Sequence, residues 1–505
     1  MRDYSRPTRL KSLKDLVRGL PQARVLRPEV MVSAITDDSR KVVPGALFVA
    51  IPGRRVDGHR FVKQALDKGA VALAVAEGRL LEQHIPAGIL LPDTRQALGY
   101  LAASFYDHPS EYLTLVAVTG TNGKTTLTYL LEQIFSEAGF ACGVIGTIEY
   151  RGRGFRDVAT QTTPGAIELQ RLLATFKERG VKFVALEASS HGLEQGRLNG
   201  TRVSAAIFTN LSRDHLDYHG HFEAYYAAKK RLFLEHLAGP ALINLDDPYG
   251  QRLAKELSGP VITFGLQNGD IRGRILKADL SGTHLEIRGA FGKLLLTSPL
   301  VGAFQAENLL AAFACGLSLG LEPEVIADAL SRASGPPGRL EAIKNPFGFS
   351  VLVDYAHTPE ALSRVLETLR QMTPGRLLVV FGCGGDRDQG KRPLMGQVAG
   401  EKADLVFLTS DNPRSEPPDQ ILEEIKRGLK RTETPYHLIV SRQEAIYLAI
   451  NEAEPGDCVL IAGKGHETYQ EIAGKRRPFD DRKVARAALA FRAMGQEALK
   501  EVAGI

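Results

Sequence analysis

A chain of 505 residues, 44% hydrophobic and 24% charged, has the composition of an ordinary globular protein. It is too long for one core, because cores stop growing at roughly 250–300 residues. Lysine and arginine (63) exceed aspartate and glutamate (58) by a net +5 that is spread along the sequence without aromatic interleaving, which argues against a nucleic-acid partner and suits small anionic substrates.

In chain order, the first block, residues 1–108, opens on MRDYSRPTRLKSLKDLVRGL, which has no apolar run of the signal-peptide kind. Short apolar runs at 46–51 and 71–76 are separated by Gly- and Pro-bearing turns and predict strands. A polar stretch at 106–110 reads as a linker. The second block, 109–335, begins with an apolar, β-rich run at 113–119 and a Gly-rich turn. A helical pattern follows at 125–138, with Leu127, Leu130, Leu131 and Ile134 on one face. Buried strands are expected at 183–186, 205–208 and 241–245. The cluster Ser334-Gly335-Pro336-Pro337-Gly338 ends this block. In the third, 336–505, strands at 350–353, 376–381, 405–409, 437–440 and 458–461 alternate with helices such as 359–370 and 419–429. The expected fold class is therefore α/β, with mostly parallel sheets covered on both faces, in three domains of which the last is Rossmann-like. No stretch reaches the ~20 apolar residues of a membrane span, so no membrane insertion is expected. Cys142, Cys315, Cys383 and Cys458 are widely spaced and read as reduced thiols, which predicts a cytoplasmic protein.

Ligand sites in such sheets lie beyond the carboxyl ends of the strands, and the chemistry-bearing motifs fall there. Gly120-Thr121-Asn122-Gly123-Lys124-Thr125-Thr126 follows a strand and opens a helix, as a phosphate-binding loop does. Glycines let backbone amides face a phosphate chain, Lys124 would reach the terminal phosphates and the Thr125 hydroxyl a Mg²⁺ ion. The generic pattern wants glycine where Val118 stands, so the loop is a shortened variant. By itself it does not separate hydrolase, kinase and ligase. Glu187 and His215 each leave a buried strand where metal and phosphate chemistry would sit. The run Ala227-Ala228-Lys229-Lys230-Arg231, taken alone, reads as the solvated face of a helix.

The phosphate loop resembles that of the Mur ligases and their folate-polyglutamating relatives, which form an acyl phosphate from ATP and let an amine displace the phosphate. The resemblance extends over nearly the whole chain and implies a uridine-nucleotide-binding first domain, a central ATP-binding domain and a C-terminal amino-acid-binding domain. Asp37-Asp38-Ser39-Arg40 and Gly53-Arg54-Arg55-Val56-Asp57-Gly58 are similar to the uridine cradle, implying contacts from Ser39, Arg54, Arg55 and Val56. Gln161, Thr162, Thr163, Ser189, Gln195 and Arg197 match muramoyl-peptide contacts. The segment around Lys229 is similar to the one that carries a carbamylated lysine, which implies a metal set of Thr125, Glu187, His215 and Lys229. Asn308, Arg339, Asp354 and His357 match nucleotide contacts, with Gln305 where the family usually has Asn. Asp411-Asn412-Pro413-Arg414, with Arg387, Gly463 and Glu467, resembles the amino-acid pocket of the members that add meso-diaminopimelate. Arg414 there would grip a distal carboxylate that lysine lacks.

The resemblance thus implies a monomeric, ATP- and Mg²⁺-dependent amide ligase of cell-wall precursor synthesis. Its catalytic set would be Lys124, Glu187, His215 and Lys229, and its substrates a UDP-muramoyl dipeptide and diaminopimelate. Rival readings are a lysine-adding member, a folate polyglutamate ligase and, from another class, a non-catalytic nucleotide-binding scaffold.

Overall fold

The computed structural model describes residues 9–20, 22–53, 56–79, 87–212 and 214–503. Arg54 and Arg55, expected in the uridine cradle, lie outside the described residues. The chain folds as two compact units: 1–273 with 288–292 and 307–329, and 274–287 with 293–306 and 330–505.

Besides a two-stranded ribbon of Lys11–Ser12 with Met31–Val32, the first unit contains two large sheets. The smaller runs in the order Arg24–Leu26, Gly88–Leu91, Ala70–Ala76, Ala46–Val49, Ala34–Thr36 and is parallel except at the Arg24–Leu26 edge. All four residues of Ala46–Val49 are buried, as expected of a central parallel strand covered on both faces. The helix Thr94–Phe105, capped by the Asp93 carboxylate, follows this sheet. Left-handed His108 (φ 45°) and Pro109 then start a 3₁₀ turn, so the polar stretch read as a linker is a compact helix terminator. The two sheets of this unit meet through that helix. The Asn199 amide donates to both oxygens of Gln96 at 2.9 Å, and Gly99 lies so close to the Asn199 backbone that a Cβ there would collide.

Eight of the eleven strands of the larger sheet are, in order from one edge, Phe155–Val158, Glu149–Gly152, Cys142–Ile145, Phe183–Glu187, Thr114–Thr119, Ala205–Phe208, Ala241–Asn244 and Val261–Gly265. The last six are parallel and the first two form an antiparallel hairpin. The helix Lys124–Glu137 lies against it with Leu127, Leu130, Leu131 and Ile134 fully buried, the face its periodicity predicts.

The second unit has a sheet in the order Glu341–Ala342, Ser350–Asp354, Cys458–Ala462, Leu377–Phe381, Leu405–Leu408, Tyr436–Leu438, of which the last five strands are parallel. Alternate strand residues serve two cores. Leu377, Val379, Val406 and Leu460 pack with Leu362, Leu366, Met395 and Ile425. Leu378, Val380, Phe407 and Val459 pack with Ile446, Ala449, Ile450 and Ala488. Helices thus cover both faces, and the doubly wound expectation holds. The strand order reverses at Cys458–Ala462, and the segments after three adjacent strands, 382–388, 409–414 and 463–467, emerge side by side at a switch point of the kind that binds ligands.

Candidate active site

Gly120 (φ 147°) and Gly123 (φ 88°) give the phosphate loop its bend. A Cβ on the first would run into the Thr209 hydroxyl, and one on the second into the Asn308 amide oxygen, so Asn308 is packed directly on the loop. The loop is held open by side-chain bonds rather than by a ladder. Asn122 N donates to Asn210 Oδ1 at 2.9 Å, Thr209 Oγ1 donates to Asn122 O at 2.7 Å, and Ser212 N donates to Thr121 Oγ1 at 3.0 Å. Lys124 opens the helix and turns back, its Nζ donating to the Gly120 and Thr121 carbonyls at 2.8 and 2.9 Å. Thr126 faces the interior and is buried.

Glu187, 1% exposed at the end of its strand, receives bonds from Thr125 Oγ1 (3.1 Å), Thr147 N (2.9 Å) and Thr147 Oγ1 (3.0 Å). Thr162 Oγ1 lies 3.1 Å from Thr147 Oγ1. The structure therefore brings Thr125, Glu187 and Thr162 together around a carboxylate fixed by its neighbours.

Lys229 is where the charge run misleads. The segment Phe222–Arg231 is a helix, but Lys229 is 1% exposed and not on a solvated face. Its Nζ donates to the Gly120 carbonyl at 2.7 Å, the same oxygen that Lys124 uses, and lies over the Tyr225 ring at 4.4 Å. Burial first, and the nearby Lys124 charge second, push its pKa well below the usual ammonium value, against a smaller pull from Asp214. A buried amine sharing a carbonyl with a second cation favours the neutral, nucleophilic form. His215 has a left-handed backbone (φ 54°) and is exposed, with its ring 4.9 Å from His191 and 6.2 Å from Tyr225. Among the described residues no cluster of three or more His, Cys, Asp or Glu side chains is arranged as a metal cage. Oxygen donors from Glu187 and Thr125, with a carbamate on Lys229, would fit a hard cation such as Mg²⁺ better than a soft one.

Beside this cluster, Thr163 Oγ1 donates to Glu187 O (2.7 Å) and lies 3.0 Å from Ser189 Oγ, which caps the short helix Ser190–Glu194. The Arg197 guanidinium donates to Gln161 Oε1 (2.5 Å), Thr163 O (2.6 Å) and Gln195 Oε1 (2.7 Å). Gln161, Thr163, Ser189, Gln195 and Arg197 thus form one network. In the smaller sheet's domain, Ser39 is buried with its hydroxyl on Gln64 Oε1 at 2.9 Å, and Val56 is exposed.

In the second unit, Asp354 ends its strand buried, accepting from Leu340 N and Ala356 N at 2.8 Å each; burial raises its pKa despite Arg339 and those bonds. The Arg339 guanidinium lies 5.1 Å from the Tyr355 ring and the His357 ring 4.5 Å from it, so these two residues gather around Tyr355. Gly338 packs on the backbone of Gly465 and His466. Asn412 Nδ2 and Lys464 Nζ each donate to Glu467 Oε2 at 2.8 Å, and Lys464 also reaches Asn412 Oδ1 at 3.2 Å. Burial would raise Glu467, but the charge and hydrogen bond of Lys464 and the bond from Asn412 outweigh it and hold the carboxyl below its usual value. Asp411 is buried against Gly463, and burial raises its pKa against the pull of Lys464 and Arg442. Pro413 is buried, and after it Arg414 takes a left-handed conformation (φ 50°), half-buried, with Nη1 on Gly385 O at 2.7 Å. Arg387 is exposed on the neighbouring segment.

Three participants were not singled out by sequence. Thr147 fixes Glu187, Tyr225 spaces Thr121 (3.2 Å) from Lys229, and the fully buried Lys464 orients Glu467. The signal for Tyr225 was its i, i+4 spacing to Lys229. Lys464 sits between two glycines, a position that ordinarily means an exposed turn.

Residues 118–316 match the Mur ligase middle domain, 338–465 the Mur ligase, glutamate ligase domain, and 31–106 the Mur ligase family, catalytic domain. A UDP-N-acetylmuramoyl-L-alanyl-D-glutamate–2,6-diaminopimelate ligase of Synechocystis sp. is 45% identical over 92% of this chain and 93% of its own length. The enzyme of the same name from Aquifex aeolicus is 45% identical over 91% and 94%. A solved structure of an enzyme with that name is 38% identical, with a TM-score of 0.73 over 96% of this chain and 99% of its own. The MurF ligase from Thermotoga maritima in complex with ADP, 20% identical with a TM-score of 0.58, shares the fold.

Proposed function

The chain belongs to the Mur ligase family, and we propose that within it this is an ATP-dependent amide ligase adding meso-2,6-diaminopimelate to UDP-N-acetylmuramoyl-L-alanyl-D-glutamate in peptidoglycan precursor synthesis. The observation that carries the reading is the C-terminal pocket. Arg414 offers a half-buried guanidinium for the distal carboxylate, and Glu467, kept ionised by Lys464 and Asn412, offers an anion for an ammonium. The four thiols are free, which suits the reducing cytoplasm, and among the described residues no helix is long and apolar enough to cross a membrane.

In this reading the glutamyl carboxylate attacks the γ-phosphorus of ATP, ADP leaves, and an acyl phosphate results. The amine of diaminopimelate then attacks the acyl carbon, inorganic phosphate leaves, and a proton is released. Lys124 exchanges its two loop carbonyls for terminal phosphate oxygens and offsets the charge that gathers as two anions meet. Neutral Lys229 takes up CO₂ as a carbamate, releasing one proton and turning a neutral amine into an anion beside the loop. Thr125, Glu187 and that carbamate would hold Mg²⁺, with His215 as a further candidate ligand; the ion would screen the repulsion between carboxylate and phosphate. Arg197, held by Gln161 and Gln195, would steady the muramoyl peptide.

The test is coupled ADP release. Rapid ADP formation is expected only with ATP, the UDP-muramoyl dipeptide and diaminopimelate all present, and Lys124→Ala should fall to background while keeping the wild-type thermal midpoint. ADP release independent of the amino acid would contradict the ligase chemistry, and a folded Lys124→Ala of near-normal rate would contradict the loop assignment.

A further inference from the structure

Below the amino-acid pocket lies an ion pair with no solvent exposure. Arg442, the first residue of the helix Arg442–Glu452, donates from Nε and Nη2 to the two oxygens of Asp481 at 2.7 Å each. Asp481 in turn opens the helix Asp481–Ala503. The same guanidinium donates from Nη2 to Ala462 O at 2.9 Å and from Nη1 to Ser410 O at 3.4 Å. Ala462 ends the strand that runs into Gly463, Lys464 and Glu467; Ser410 precedes Asp411, Asn412 and Arg414. One side chain therefore ties together the ends of both pocket segments.

A buried pair of this kind is a poor stabiliser, since desolvating two charges consumes most of what their attraction returns, and apolar residues of similar volume often do as well. An apolar pair cannot bond two carbonyls at a fixed spacing. We infer that Arg442 and Asp481 are positioning residues for amino-acid recognition, fixing the separation of the Asp411–Arg414 and Gly463–Glu467 segments without touching the substrate. The inference rests on the reading of that pocket as the diaminopimelate site. The Arg442 charge adds to the effect, because it also acts on the Asp411 and Glu467 carboxylates. Displacements near 1 Å at a bound substrate can cost on the order of a hundredfold, so loosening these segments should be visible in kinetics.

The experiment compares wild type with Arg442→Met/Asp481→Leu and with Arg442→Lys, measuring KM for each of the three substrates, kcat and thermal midpoint. Arg442→Lys keeps the charge opposite Asp481 but cannot also span both carbonyls. Both variants should raise KM for diaminopimelate on the order of tenfold or more while KM for ATP and for the UDP-muramoyl dipeptide stays within about twofold. Unchanged KM for diaminopimelate in a folded variant overturns the inference, as does an equal rise in all three constants, which would mark a merely structural pair. If the double variant does not fold, Arg442→Lys decides the matter alone. Wild type separates the two levels of the argument: no diaminopimelate-dependent turnover there would sink the reading of the pocket, not only the role of the pair.

Discussion

At Gly120 two lysines meet one carbonyl oxygen, and the chemistry follows from which of them keeps its proton. Lys229 is the buried one, so burial and the neighbouring Lys124 charge drive it towards the neutral amine. Lys229→Ala should lower kcat on the order of a hundredfold, the cost of removing one preorganised electrostatic contact. Added short-chain carboxylates that enter the vacated space should restore part of it. Rates that short carboxylates leave untouched, together with an unmodified Lys229 ammonium in the density of active Mg²⁺-loaded enzyme, would count against the carbamate. Arg414→Ala removes the fork that the distal carboxylate of diaminopimelate would fill. A site built around such a group can reject an analogue lacking it by on the order of 10⁴, so kcat/KM for diaminopimelate should fall by at least about a hundredfold. A fall shared equally with lysine would show that Arg414 does not discriminate.

Among the elements, the helix Phe222–Arg231 passes straight into a π-turn, Leu232–His236, and His236 closes it from a buried position. Burial lowers the His236 pKa from 6.5 to about 4, against a small opposing effect of Glu235. Its imidazole stays neutral in the folded chain while the unfolded chain takes up a proton. Stability from this residue is intact above pH 6.5 and is lost as pH falls towards 4, by about 3 kcal/mol in all. Thermal midpoints measured from about pH 7 down to about pH 4.5 should drop less steeply for His236→Asn than for wild type. Parallel curves would show that His236 already shares its proton with solvent. This turn was invisible in the sequence, because nothing in Leu232 to His236 breaks an α-helical pattern. The parallel strands that the sequence predicts lie within a residue or two of their expected bounds, since strands buried on both faces are continuous apolar runs, as in Thr114–Thr119 and Cys458–Ala462. The short strands Ala34–Thr36, Gly88–Leu91, Cys142–Ile145 and Val261–Gly265 were not singled out. The phosphate loop was readable for a different reason: its two left-handed residues have to be glycine, and they are spaced by the turn itself.

Across the whole molecule, what could be read divides along the same physical line. Residues whose role is set by local backbone geometry, such as Gly123 or the bend at Arg414, leave a trace in the string of letters. Residues whose role is set by burial do not. Lys229 and Lys464 look like surface cations, and only the packing of distant segments shows them enclosed, at 1% and 0% exposure. Asp481 and Arg442 are 39 positions apart and pair only because two helices start over the same strand ends. The proposed amino-acid pocket combines both kinds, which is why its resemblance to a diaminopimelate site was legible while its support was not. The most direct test of the central claim is therefore a competition at this pocket. Purified protein is given ATP, Mg²⁺, the UDP-muramoyl dipeptide and equal concentrations of meso-diaminopimelate and lysine, and the nucleotide products are weighed. A product that has gained diaminopimelate is expected, in large excess over any that has gained lysine. Lysine product at equal or greater yield, or no amino-acid adduct at all, would contradict it.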